Sequence, residues 1–317
     1  ERTWTRASAA GNLSTFAPTP SEEKPVDTDH TWTETSATIR VAGLDRAVRI
    51  LHVTDSHISR DPETEPPYDD CSARMHAAYS SYDTSGAFRD QMQRAASERV
   101  DLIALTGDQV NYPSTSSVEF IADEVERTGI PHIYTAGNHD WHYEGLPGDS
   151  GDLRRQWRAK RLAPLYRGAP SHSSLEIGNL RFVAIDNATS QVDEAQFEFF
   201  RQQAAHGIPL VLLCHIPLAL PSLREDGLRP LCGDPIWGAA TDRNWKIERR
   251  QRWPESGNAP STTAFYETIS QTPSLVAILT GHIHMDRADP IHDSAVQYAT
   301  KAGIDGSCRL FTFLPLD

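Results

Sequence analysis

Residues 49–57 read RILHVTDSH, an apolar run that ends abruptly in polar side chains. The run has the length and composition of a buried β-strand, and Asp55 and His57 follow it directly. Because alternate residues that leave a strand point the same way, we expect this carboxylate and this imidazole to lie side by side. Both groups are ligands that first-row metals accept. The stretch therefore predicts a strand with metal ligands at its end.

Four more apolar runs end in the same manner. They are DLIALTGD at 101–108, ending in Asp108; HIYTAGNHD at 132–140, ending in Asn138, His139 and Asp140; LVLLCH at 210–215, ending in His215; and VAILTGHIH at 276–284, ending in His282 and His284. A Gly-Asp pair alone is mostly a turn, and a lone histidine after a strand is more often a core residue. Ligands of α/β sheets bind just beyond the carboxyl ends of strands. Together the five blocks predict that Asp, His and Asn side chains meet at one edge.

The segments between these blocks predict helices. One helical pattern covers 88–100, and Ser116 with Glu119 forms a capping box that opens a helix ending at Gly129. Asp193 and Gln196 form the cap of a third helix. Strands that alternate with helices indicate βαβ units and a mainly parallel sheet.

Turn residues also predict hairpins, which add antiparallel strands. Gly43, Leu44 and Asp45 would join strands at 33–41 and 47–53, and Gly178 with Asn179 would form a second hairpin. Two late strands follow, at 295–302 and 309–315. We therefore expect about ten strands in two mixed sheets with helices covering both.

Composition divides the chain into an arm and one domain. Residues 1–31 are rich in Pro, Ser, Thr and charge and predict an extended arm, and 32–317 predict a single domain. The irregular stretch at about 217–260 is too long for an ordinary loop and predicts a lid or cap inserted in that domain. The polar arm and the absence of an initiating Met favour an exported or periplasmic protein over a cytoplasmic one.

Charge and hydropathy exclude some classes of partner. The chain has 317 residues, with 30 Lys and Arg against 43 Asp and Glu, a formal net charge of −13. That balance disfavours binding along a nucleic-acid backbone, but bound metal ions can still supply local positive charge for a phosphate. No apolar run approaches the length of about 18 residues that a membrane span needs. The sequence indicates no particular oligomeric state.

The five blocks resemble the calcineurin-like metallophosphoesterases, whose pattern is D-x-H, G-D, G-N-H-D/E, H and G-H-x-H. All five stand in order between Asp55 and His284. The resemblance implies a four-layer α/β/β/α sandwich and two metal ions, with Fe, Mn and Zn all suited to these donors. It implies one metal at Asp55, His57, Asp108 and His284, and a second at Asp108, Asn138, His215 and His282.

The resemblance also implies a mechanism. A hydroxide held between the two metals would attack phosphorus, with Asp108 bridging the metals and His139 as the catalytic histidine. Asp140, also assigned to catalysis, would orient its neighbours or serve only as a helix-start carboxylate. The third residue after Asp108 is Asn111, where purple acid phosphatases have a ligating Tyr. A purple iron site is therefore disfavoured. Protein Ser/Thr phosphatases resemble G-D-x-x-D-R-G, and here Asn111 and Tyr112 stand in place of that Asp and Arg, so protein-phosphatase activity is disfavoured as well.

Substrate choice must come from residues around this pattern. Tyr68 and Arg74 lie in the long segment 59–85, and Trp141 and His142 follow the GNHD block. With Asn111, they are the predicted substrate-binding residues. The function predicted is hydrolysis of a small-molecule phosphomonoester or phosphodiester. The alternatives are a non-catalytic metal-binding scaffold of the same fold, or a nuclease.

Overall fold

The computed structural model describes residues 25–62, 68–141, 158–225 and 259–316. Within these residues, twelve strands form two six-stranded sheets. The strands are β1 Thr28–Trp32, β2 Ser36–Val41, β3 Val48–Val53, β4 Leu102–Thr106, β5 His132–Thr135, β6 His172–Ile177, β7 Leu180–Ile185, β8 Leu210–Leu213, β9 Leu275–Thr280, β10 Arg287–His292, β11 Ala295–Ala299 and β12 Arg309–Pro315.

Helices connect many of these strands. They are α1 Asp69–Tyr79, α2 Thr84–Ser97, α3 Thr115–Thr128, α4 Glu194–Ala204, α5 Pro221–Glu225 and α6 Pro260–Ile269. Shorter helical turns lie at Arg158–Leu162, Ala163–Leu165 and Gly303–Asp305. Gly129 ends α3 in the left-handed conformation, and Asp193 with Gln196 forms the capping box of α4, as the sequence predicts. None of the described helices combines the length and the apolar character that crossing a membrane requires.

The first sheet has the strand order β1-β2-β12-β3-β4-β5. Strands β3, β4 and β5 are parallel, so their carboxyl ends lie at one edge. The predicted hairpin of strands 33–41 and 47–53 is wrong, because β12 lies between β2 and β3 and pairs with both. The turn at Gly43 is present, but the two strands it connects are not neighbours.

The second sheet has the order β10-β11-β9-β8-β7-β6. Its four inner strands are parallel, and β6 pairs antiparallel with β7 in the hairpin that Gly178 and Asn179 predict. Strands β1 and β10 were not predicted from sequence. Strand β1 begins at Thr28, inside the predicted arm, and β10 contains Pro290, which an edge strand tolerates.

The two sheets pack face to face with helices on both outer faces. Ile39, Ile50 and Leu102 of the first sheet meet Phe182 and Val211 of the second in a buried apolar layer. The outer face of the first sheet packs against α2 and α3, and that of the second packs against α4 and α6. Fully buried inner strands such as β4 and β9 are continuously apolar for this reason. The predicted four-layer α/β/β/α sandwich is confirmed.

Two sequence predictions on helices need correction. Helix α1 lies inside the segment read as a long loop, and its first residues offer no side-chain cap that would have marked it. The predicted capping box at Ser116 is wrong, because Ser114 is the residue whose side chain accepts from the amide of Ser117. Of the predicted lid, only its two ends are among the described residues. Residues 1–24 of the predicted arm lie outside them.

The cap of α3 can be tested with two neighbouring serines. We expect Ser114→Ala to lower the free energy of unfolding by about 1 kcal/mol, since it removes the acceptor of an end amide. Ser116→Ala is the control and should have little effect. Urea denaturation measures both, and a larger loss from Ser116→Ala would contradict the cap assignment.

Candidate metal centre

The five polar blocks meet where the carboxyl ends of β3, β4, β5, β8 and β9 approach one another. Two contacts join the sheets at this point. The amide of His282 donates to Asp55 Oδ2 at 2.8 Å, and His215 Nδ1 lies 2.8 Å from the carbonyl oxygen of Thr106. A neutral ring whose Nδ1 donates to a carbonyl presents the lone pair of Nε2 on its other side. Residues far apart in sequence therefore form one site between the sheets.

Each of the two carboxylates is fixed through one oxygen. Asp55 Oδ2 accepts from the amide of His282 and from Thr54 Oγ1 at 2.7 Å. Asp108 Oδ1 accepts from the amide of His139 at 2.8 Å. The second oxygens face imidazoles: Asp55 Oδ1 lies 3.2 Å from His284 Nε2, and Asp108 Oδ2 lies 3.2 Å from His215 Nε2. Both aspartates thus present one oriented oxygen to the site.

Ligand atoms converge in three overlapping groups. In each group the atoms lie within 4.8 Å of one another, and the groups are Asp55 with His57 and His284, His57 with Asp108 and His139, and Asp108 with His215 and His282. Asn138 Oδ1 adds an oxygen 3.1 Å from His215 Nε2. The structure brings together all seven residues predicted as metal ligands, and Asp108 belongs to two of the groups.

The backbone at these residues is in an unusual conformation. Among the described residues, eight that are not glycine have positive φ, and five of them are Asp55, His57, Asp108, His282 and His284, with φ between 43° and 67°. This region disfavours residues that carry a Cβ, and such conformations persist only where the surroundings enforce them. Their concentration in one place shows that the packing around the site enforces a costly backbone geometry.

The glycines of the motifs allow the close approach of backbone and carboxylate. A Cβ on Gly281 would overlap Thr54 Oγ1 and Asp55 Oδ2, and one on Gly137 would overlap the amide and Oδ1 of Asp108. Gly107 has φ +86°, and its Cβ would lie 2.6 Å from His215 Nδ1. Packing around both carboxylates therefore requires glycine in the G-D, G-N-H-D and G-H-x-H blocks.

Burial and mutual charge set the protonation of these groups. Burial alone raises the pKa of Asp55, but contact with His284 and the charge of His215 outweigh it and lower the pKa to about 2. Burial lowers the pKa of His57 to about 3. It also favours neutral His215, yet the carboxylate of Asp108 raises the pKa of that ring to about 10. The two carboxylates thus stabilise positive charge at the centre of the site.

The donor set fits metal ions. Asp55 Oδ1 is buried and, among the described residues, makes no hydrogen bond of good geometry. His57 Nε2 lies 3.3 Å from His284 Nε2, so two ring nitrogens approach the same point as this oxygen. A cation would satisfy the buried oxygen and both nitrogens, whereas a proton can satisfy only one pair. Imidazole with carboxylate and amide oxygen suits Fe, Mn or Zn.

Comparison with known proteins identifies the family. A calcineurin-like phosphoesterase family model matches residues 48–286, more than half of the chain. The chain belongs to the calcineurin-like phosphoesterase family. The resemblance read from the five motifs is thereby confirmed.

Individual relatives of this calcineurin-like phosphoesterase are distant. A probable cyclic nucleotide phosphodiesterase from Psychrobacter arcticus is 31% identical over 96 residues, which cover 30% of the chain and 32% of the relative. The chain thus matches about a third of that relative's length. The crystal structure of a dimetal phosphatase from Danio rerio superposes with a TM-score of 0.51 at 11% identity, covering 84% of this chain and 92% of that one. This likeness bears on the fold alone.

His139 lies at the partly exposed side of the phosphoesterase site. Its Nδ1 is 3.3 Å from the carbonyl oxygen of Asn111, an acceptor that selects the tautomer with the proton on Nδ1. Asn111 is 1% exposed, and its amide donates to the carbonyl of Met75 in α1 at 2.7 Å. The structure thus gives Asn111 a supporting position behind His139, and its predicted contact with substrate stays a prediction.

The structure places Asp140 in an orienting position, and its predicted catalytic role stays a prediction. It is fully buried, and its carboxylate accepts from the amides of Val110 and Gly137 and from Tyr134 OH, at 2.8–2.9 Å. Burial and the charge of Asp108 raise the pKa of Asp140 to about 6. The three bonds connect the loops that carry Asp108 and His139, which is the orienting role considered from the sequence.

The other predicted substrate-binding residues lie in different surroundings. Trp141 is 1% exposed and packs in the core beneath the first sheet. Tyr68 packs against the same core, with the Arg161 guanidinium 6.0 Å from its ring centroid, and Arg74 is exposed on α1. His142 lies outside the described residues. Contact of Tyr68, Arg74, Trp141 and His142 with substrate stays a prediction.

Sequence reasoning missed several residues that support the site. Asn187 follows β7, and its Oδ1 accepts from the amides of His215 and Ile216 at 3.0 Å each. Asp186 and Asn187 follow an apolar run just as the five blocks do, so the same signal could have revealed them. His52 is buried between Thr106 Oγ1 and Thr300 Oγ1, at 2.6 and 2.8 Å, and so links the two sheets behind the ligands.

Tyr79 of α1 was also missed. Its ring stacks on His57, with ring centroids 4.9 Å apart and an angle of 14° between the planes. The sequence offers no spacing signal for this contact, since α1 itself was not predicted.

The glycine constraint gives a test of the site. We expect Gly281→Ala to lower the free energy of unfolding by roughly 1–3 kcal/mol and to weaken metal binding, since the added methyl group displaces Asp55. Gly207→Ala is the control, because its Cβ would meet nothing within 4 Å. It should cost about 1–2 kcal/mol for its positive φ and leave metal binding unchanged. Thermal unfolding and metal titration measure both. Equal metal affinity in the two variants would contradict the packing described.

Proposed function

We propose that this protein hydrolyses the phosphoester bond of a small-molecule phosphomonoester or phosphodiester and needs two metal ions to do so. The observation that carries the proposal is the set of overlapping carboxylate–imidazole groups that share Asp108. In this assignment Asp55, His57, Asp108 and His284 hold one ion. Asp108, Asn138, His215 and His282 hold the other, and each ion is Fe, Mn or Zn.

The bound ions would acidify water and neutralise charge on the phosphate, which is the chemistry this donor set supplies. The chain's own residues orient the donors. One oxygen of each aspartate is held by a backbone amide, so the second oxygen keeps its direction when charge builds up on the substrate. Because these bonds exist before any substrate arrives, little reorganisation is needed during the reaction.

His139 is the residue we assign to proton transfer. Its Nδ1 faces the Asn111 carbonyl, and a ligand atom of His139 lies within 4.8 Å of those of His57 and Asp108. In its doubly protonated form the ring keeps the Nδ1 proton on the Asn111 carbonyl and donates the proton of Nε2 to the departing alkoxide, which leaves the neutral ring behind. Its backbone amide also holds Asp108, so one residue links the ligand set to the leaving group.

Substrate would approach from the side of the three most accessible histidines. His139 and His282 are partly exposed, and the side chain of His284 is 43% exposed, whereas the remaining ligands are buried. The match to a probable cyclic nucleotide phosphodiesterase favours a diester as substrate. The net charge of −13 makes a nuclease the weaker alternative. Export stays a prediction.

Two chromogenic esters test the activity and its substrate class. We expect bis-p-nitrophenyl phosphate or p-nitrophenyl phosphate to be hydrolysed with Mn²⁺ and not after chelation, because the carboxylates and imidazoles alone provide no strong nucleophile. The ratio of the two rates assigns diester or monoester specificity. Elemental analysis of the purified protein identifies the metal. Hydrolysis of neither ester by metal-loaded protein would favour the non-catalytic scaffold.

The role of His139 needs a separate experiment. We expect His139→Ala to lower kcat by about 10²- to 10⁴-fold while metal content stays the same, because the variant loses proton transfer and retains the backbone amide on Asp108. His206→Ala, at an exposed histidine after α4, is the control. Metal loss in the first variant would reassign His139 to the ligands, and unchanged kcat would remove it from catalysis.

A further inference from the structure

Residues 216–225, which we call the stem segment, lead from His215 to α5 and are fixed to the second sheet at three points. Asn187 Nδ2 donates to the carbonyl of Ile216 at 2.7 Å. The side-chain amide of Gln297 bonds to both the amide and the carbonyl of Leu218, at 2.9 and 3.1 Å. Ser222 Oγ donates to Asp289 Oδ1 at 2.7 Å. The stem segment is therefore attached to the second sheet by side-chain hydrogen bonds along its length.

The stem segment packs against the loop that carries His282 and His284, which we call the ligand loop. Ala219 and Leu223, both fully buried, form a small apolar cluster with Ala299 of β11 and Ile283. Ile283 stands between His282 and His284 and is 5% exposed. The side chain between the two histidines thus packs on the stem segment, separately from the three larger cores.

The conformation of the loop requires such a support. His282 and His284 have φ of 67° and 57°, and the amide of Ile283 bonds to the carbonyl of Gly281 at 2.8 Å in a very tight turn. An L-residue leaves the left-handed region readily unless its neighbours prevent it. Ile283 is flanked by two such residues, so fixing its side chain restricts the φ of both histidines together.

We propose that packing of Ile283 on the stem segment holds His282 and His284 in ligand geometry, which makes Leu223 a positioning residue for both metals. The proposal rests on the proposed function, because it presumes that the two histidines bind metal. Leu223 is not itself in any of the ligand groups. Leu223 contributes through packing, because it belongs to the apolar cluster that contains Ile283. Loss of the Leu223 side chain would let both imidazole rings leave ligand geometry.

The test compares two buried leucines in the full chain. Leu223→Ala removes the stem-segment side chain that packs with Ile283. Leu275→Ala removes an equally buried side chain at the start of β9, at the opposite end of that strand from the histidines. Both variants should lower Tm, because each leaves a cavity. Competition with a chelator for Zn²⁺ measures metal affinity. We expect affinity to fall by at least about tenfold in Leu223→Ala and to stay unchanged in Leu275→Ala.

Conservative variants complete the experiment. Leu223→Met keeps the volume and should restore affinity, and Leu223→Val gives an intermediate loss if the alanine variant does not fold. Equal affinity in the Leu223 and Leu275 variants, with wild-type protein that binds Zn²⁺ and hydrolyses ester, would overturn the positioning role alone. Failure of the wild-type protein to bind metal would instead overturn the proposed function.

Discussion

The hydrogen bond from the His282 amide to Asp55 Oδ2 is the interaction on which the site depends. It joins the end of β9 in one sheet to the end of β3 in the other, and it fixes the direction of the second oxygen of Asp55. The contact between His215 and Thr106 connects the ends of β8 and β4 in the same way, and these strands are the neighbours of β9 and β3. Backbone groups of one sheet thus orient ligands of the other, and the ligand set exists only when both sheets are packed together.

This arrangement explains why strain is concentrated in so few residues. Loops that bring backbone amides against carboxylates must turn within two or three residues of a strand end, which forces Asp55, Asp108 and His282 into the left-handed region. Glycines at 107, 137 and 281 leave the space that such turns need. The large apolar layer between the sheets stabilises the whole and offsets the local cost.

The sequence predicted the parts of the site that are local, and the structure supplied those that are not. Each apolar run predicts its strand, and the polar residues after it can be read directly, so the seven predicted ligands are residues that the structure brings together. The surroundings of Asn111 and Asp140 could not be predicted, because their hydrogen-bond partners lie in α1 and on neighbouring loops. His52 and Tyr79 were missed because they meet the site through tertiary contacts that leave no spacing signal, whereas Asn187 follows an apolar run and could have been found. The insertion of β12 between β2 and β3 is equally invisible in a local pattern.

The position of β12 also has a consequence for how the protein is made. Arg309 pairs with His52, so β3, which leads into Asp55, lacks one of its two neighbours until residues 309–315 have paired with it. Contacts between such distant residues form slowly, since a long loop must close first. Before β12 pairs, β3 has an open edge of the kind through which strands of different chains associate.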